Sequence, residues 1–128
     1  MDFKLELVPV PVTDVDRAKQ FYQEQAGFHL DHDVLPSATV RVVQLTPIGS
    51  ACSIVLTTGL SGMAMAPGVL RGLHLVVEDI DQARQELVNR GVAVGEVSDM
   101  GGIKYASFSD PDGNTWTLQY IPAHYRNR

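Results

Sequence analysis

The side chains able to carry chemistry in this 128-residue chain are few: His29, His32, His74, His124 and a single cysteine, Cys52. Imidazole and thiolate are the donors used by zinc, nickel and iron sites. Imidazole is also a common general acid or base near neutral pH. One cysteine leaves no room for a disulfide framework or a cysteine-based zinc motif, and it reads as an apolar thiol buried in a strand. His29, His32 and His124 lie on a predicted second strand or in the tail and show no ligand spacing. No phosphate-cradling loop, nucleophile elbow or Ser/His/Asp pattern is present, and Gly101-Gly102 reads as a hairpin turn. His74 is left, in an alternating apolar run that reads as a strand.

The elements that would position His74 come in two copies. Residues 12–21 read VTDVDRAKQF and residues 77–86 read VEDIDQARQE, with five of ten aligned positions identical at an offset of 79 − 14 = 65. Asp14 and Asp79 are helix N-cap candidates, because a short carboxylate accepts from the free N–H groups of a first turn. Val15, Ala18, Phe21 and Tyr22 make one apolar stripe, and Ile80, Ala83, Leu87 and Val88 make the other. Gly27 and Gly91 follow where a left-handed cap is needed. A strand precedes each helix, with Val8, Val10 and Val12 alternating in one copy and Leu73, Leu75 and Val77 in the other. Strand-like runs follow at 28–34, 40–46 and 51–57, then at 92–97, 103–108 and 115–121. Turns are expected at Pro36-Ser37, Pro47-Ile48-Gly49 and Asp110-Pro111-Asp112-Gly113-Asn114.

The pattern predicts one domain over 1–128: module one at about 3–58, a linker at about 59–69, module two at about 70–121 and a tail at 122–128. Met63 and Met65 in the linker read as loop packing. A formal charge of −5 argues against a nucleic-acid partner. The N-terminus shows no secretory pattern, and no apolar run nears the roughly 20 residues that span a bilayer, so no membrane partner and a cytoplasmic location are expected.

The stretches VTDVDRAKQFY, HLVVEDIDQARQEL and FSDPDGNTWTLQ, in this order, resemble the vicinal oxygen chelate superfamily. Its members include glyoxalases, bleomycin-resistance proteins and dioxygenases. The resemblance implies an α+β fold in which two tandem βαβββ modules form a curved mixed sheet around a cavity. Metal-dependent members carry one ligand on the opening strand and one on the closing strand of each module. Those positions correspond to Leu7, Val55, Gly72 and Thr117 here. Aliphatic side chains and glycine donate no electron pair, and a lone threonine hydroxyl is a poor ligand. No metal and no cofactor are therefore expected. His74 lies two residues past the ligand position, which makes it a pocket residue rather than a ligand.

The implied pocket gathers Leu7, Pro9, Ser53, Val55, Gly72, His74, Tyr105, Thr117 and Gln119, with the facing of Arg41, Gln44 and Tyr105 left open. Mostly apolar with a few neutral polar groups, it suits an uncharged or partly aromatic small molecule. The expected function is metal-independent binding of such a molecule, in a homodimer, since the bleomycin-resistance branch shares grooves between subunits. The alternative is a metal-free isomerase, lyase or cyclase with His74 as catalytic acid or base; a metal-dependent glyoxalase or dioxygenase ranks below both.

Overall fold

The computed structural model describes residues 1–126, apart from the side chain of Met63. The first half of the chain holds β1 (Leu7–Pro9), α1 (Val15–Gln20, continued by a wider π-type stretch Phe21–Gln25), β2 (His29–Ser37), β3 (Val40–Thr46) and β4 (Ser53–Thr58). The second half repeats the plan with β5 (Leu73–Val76), α2 (Ile80–Asn89), β6 (Ser98–Met100), β7 (Ile103–Ser109) and β8 (Thr115–Tyr120). Strand order is β1-β4-β3-β2 in one sheet and β5-β8-β7-β6 in the other. The opening strand pairs in parallel with the closing strand in each, and every other pairing is antiparallel. This is the tandem βαβββ order that the repeat predicts and the α+β class that the resemblance implies.

The helices start where the aspartates direct them. Asp14 accepts from the Arg17 backbone N–H and Asp79 from that of Gln82, each supplying one missing first-turn partner. Gly27 and Gly91 close the helical segments with φ of 78° and 89°, a left-handed conformation open to glycine.

One core serves both halves. Val43, Leu45, Ile54 and Leu56 from the first sheet join Ala106, Phe108, Trp116 and Leu118 from the second around Phe21, Tyr22 and Phe28. Tyr22 stacks on Phe28 at 5.6 Å and meets Trp116 edge-on at 5.7 Å. The end of the first helix therefore packs against the second sheet, and the halves are joined through aromatic contact.

The Asp110–Asn114 turn clasps the same junction. Asp110 Oδ1 accepts from the backbone N–H of Asp112 and Asn114, and Oδ2 accepts from the Tyr22 hydroxyl and Asn114 Nδ2. Tyr22 Oη in turn accepts from Trp116 Nε1 at 2.9 Å. Asn114 donates to the Pro11 carbonyl and accepts from the Leu70 N–H, so one fully buried side chain ties three segments. Burial, then the charge of Asp110, pushes the Tyr22 phenol far up, so it stays a donor at any working pH.

Some boundaries differ from expectation. The strand expected at 92–97 is displaced to Ser98–Met100. Val92 and Val94 go into the core, while Arg84 takes the carbonyls of Val94 and Gly95 that a ladder would use. The turn expected at Pro36-Ser37 falls at Ala38-Thr39; β2 is an edge strand and absorbs Pro36 in an irregular pairing between Val34 and Ser37. Cys52 sits just before β4, half-buried rather than inside the strand. Met65 is 40% exposed. The expectation for the Met63 side chain, and residues 127 and 128 of the expected tail, lie outside the described residues. No described helix is long and apolar enough to cross a membrane.

Candidate functional site

Because the helix-side faces of both sheets meet in one core, their opposite faces look outward, and strand alternation decides what they carry. On the first sheet, Leu7 lies opposite Ser53 and Pro9 opposite Val55, with Gln44 beside Val55. Val55 is 3% exposed yet stands apart from the main core. It is covered by the connecting segment, where Leu60, Ala64 and Met65 enclose a hollow of about 160 Å³ with Pro9, Val55 and Thr57. Gly68 anchors that segment by donating to the Pro11 carbonyl at 3.2 Å. Its φ is +77°, and a Cβ there would collide with the Asp112 carbonyl.

On the second sheet, His74 lies opposite Thr117, and Tyr105 opposite Gln119. Tyr105 meets the His74 ring edge-on at 6.3 Å. His74 Nδ1 lies within hydrogen-bond distance of the Gly72 carbonyl, an acceptor that calls for the proton on Nδ1 and leaves Nε2 to accept. Gly72 precedes β5, with φ of +73° and its N–H bonded to Thr115 Oγ1 at 2.7 Å. Thr117 shares a 3.3 Å contact with Ser107 Oγ.

The nine expected pocket residues thus fall into two groups: Leu7, Pro9, Ser53 and Val55 on one sheet; Gly72, His74, Tyr105, Thr117 and Gln119 on the other. Among the described residues no hydrogen bond or ring contact joins the groups within one chain. A cavity of about 680 Å³ lies elsewhere, between α2, the 26–28 and 47–50 loops and the edge of β5. His74 is the one expected residue among its walls; Phe28, Leu75, Leu87 and Phe108 from the core side line it too. Its position beside an unpaired strand edge and exposed Ile48 marks incompletely covered core surface as much as a ligand pocket.

The facing of two uncertain residues is settled by their contacts. Arg41 points to the helix side, where it pairs with Asp33 and with Asp16 of α1. The hydrogen bonds from Arg41 and then Lys19 hold the Asp33 carboxyl far below the usual range. Gln44 points outward, to Asp31 and Ser53. Asp31 itself escaped the sequence reading. It is the extra residue of a β-bulge between Leu30 and His32, and the bulge aims its carboxylate at Thr46 and Gln44. Those bonds, Thr46 first, lower its pKa. The flanking histidines in His29-Leu30-Asp31-His32 were the available signal, but nothing in residue type marks a bulge.

A divalent metal does not fit this donor set. Leu7, Val55 and Gly72 offer no side-chain donor, and no described group of three His, Cys, Asp or Glu side chains converges on one point.

Comparison with known proteins agrees with the fold. YetH of Bacillus subtilis, an uncharacterised protein, is 30% identical over 118 residues, covering 88% of this chain and 93% of its own. TnmS3, an antibiotic-binding protein from Streptomyces sp. CB03234, superposes with a TM-score of 0.82 at 39% identity, covering 94% of this chain and 98% of that one. A glyoxalase/bleomycin resistance protein from the same organism gives 0.76 at 41%, covering 90% and 98%. Residues 4–118 match the sequence profile of the Glyoxalase/Bleomycin resistance protein/Dioxygenase superfamily, and the chain belongs to it.

Proposed function

We propose that this protein binds a small, largely apolar or aromatic molecule on the outward sheet faces, without a metal, as a homodimer. The observation that carries this reading is the make-up of those faces. Leu7 and Pro9 offer apolar contact, with Val55 beneath the connecting segment, while Tyr105, Thr117 and Gln119 offer neutral hydrogen bonds and Ser53 holds Thr46 and Gln44 from below, the combination of a small-molecule site. The likeness to the antibiotic-binding TnmS3 supports it. The same geometry supports the dimer: the two groups lie on different sheets, and a second copy would face one with the other. The free Cys52 is in keeping with a reducing cytoplasm.

N-phenylnaphthylamine, an uncharged aromatic probe whose emission rises in apolar surroundings, tests the reading. The expected result is saturable binding, unaffected by a chelator, with amide shifts on β4, β5 and β8. Absence of binding, or shifts confined to the cavity beside α2, would refute it.

A second reading, metal-free turnover, is favoured by one observation: His74 offers Nε2 as an acceptor beside Tyr105. A His74→Ala variant that keeps affinity but stops conversion of a bound molecule would establish it.

A further inference from the structure

The bulge in β2 places a carboxylate on a face whose other side chains, apart from His29 and His32, are neutral. The neighbours there are Leu7, Pro9, Gln44, Ser53 and Val55. Asp33, the next carboxylate along, lies on the other side and is taken up by Arg41 and Lys19. Arg41 is further engaged by Asp16, so neither cation is left to neutralise Asp31.

Asp31 is held in a definite pose. Oδ2 accepts from Thr46 Oγ1 and from Gln44 Nε2 at 3.2 Å. Thr46 is fixed in turn by the Ser53 hydroxyl at 2.6 Å, and Ser53 is 4% exposed. Oδ1 receives no hydrogen bond from any described residue; the nearest basic atom is His29 Nε2 at 3.8 Å. A carboxylate has about four acceptor positions, so roughly half of this one's capacity points away from the fold. The side chain is 24% exposed, open enough to meet a ligand yet partly withdrawn from water.

We propose that Asp31 Oδ1 receives a cationic N–H donor, an amine or amidine, of the bound molecule, whose apolar body lies over Leu7 and Pro9. This assignment rests on the outward face being the binding face. A charged hydrogen bond at a partly exposed site favours the cation by about tenfold in affinity, the lower end of what such bonds give when buried.

The test uses the whole protein and three probes with one aromatic body: naphthylmethylamine, naphthylmethanol and naphthylacetate. Each displaces N-phenylnaphthylamine at neutral pH. The amine should bind about tenfold more tightly than the alcohol, and the carboxylate most weakly. In Asp31→Asn, which keeps one acceptor oxygen, that amine-over-alcohol preference should shrink to about twofold or less, each affinity being taken relative to that variant's own N-phenylnaphthylamine Kd. Asp33→Asn, altering a carboxylate on the opposite face, should keep the full preference. Equal affinities for amine and alcohol, or a preference that survives in Asp31→Asn, would overturn the proposal while leaving the binding face intact. If N-phenylnaphthylamine itself does not bind, the binding face fails and the proposal with it.

Discussion

Replacing Tyr22 by phenylalanine tests whether the two halves are clasped as described. The hydroxyl accepts from Trp116 Nε1 and donates to Asp110 Oδ2 at 2.7 Å, in a site where Tyr22 is fully buried and Trp116 is 3% exposed. Its removal strands a buried indole N–H, at about 1–3 kcal/mol. It also takes one charge-assisted bond from Asp110, about 1.5–3 kcal/mol, although Asn114 still serves the same oxygen. Against this, the variant no longer buries a hydroxyl, which returns about 1–3 kcal/mol. The net loss is about 2–3 kcal/mol, a sizeable part of the roughly 5–15 kcal/mol that holds a domain together. Urea denaturation with unchanged slope should show it, and the melting temperature should fall by about 5–10 °C. Tyr105→Phe, on the outward face, should change stability by less than about 0.5 kcal/mol. A Tyr22→Phe variant within about 0.5 kcal/mol of the parent would refute the clasp.

Three further outcomes are expected. Asp33 has a folded pKa below its unfolded value, so its contribution is complete above about pH 5 and is lost as pH falls through the unfolded value near 3.9 toward the folded one. Asp33→Asn should flatten that acid limb of stability, measured by urea midpoints across pH. Gly68→Ala should cost at least about 1–3 kcal/mol, read by thermal melts, because alanine meets both a positive φ and the Asp112 carbonyl. Thr46→Val should release Asp31 from its largest hydrogen bond and raise the carboxyl pKa toward the usual range, read by NMR titration.

The fold was legible because its instructions are local and repeated. Asp14 and Asp79 cap helices, Gly27 and Gly91 end them, and the apolar stripes between can face only a core. Strand alternation likewise separated Trp116 and Leu118, which are buried, from Thr117 and Gln119 on the other side. The misplacement of β6 was not legible, because Arg84 must already be folded beside Val94 and Gly95 to take their carbonyls. The role of Asp31 was hidden for a related reason. A bulge depends on how β2 and β3 pair, and strict alternation would have put Asp33 outward with it instead of on the helix side with Arg41. Nor does residue type reveal that Leu7 and His74 lie on separate sheets of one chain.

Binding of a small molecule on the outward sheet faces without a metal is tested by titrating N-phenylnaphthylamine into the purified protein before and after exhaustive chelation, with metal content measured on the same samples. Saturable binding of equal affinity in both, with no stoichiometric metal lost, is expected. Release of one metal per chain, with binding abolished and then restored by adding it back, would contradict it.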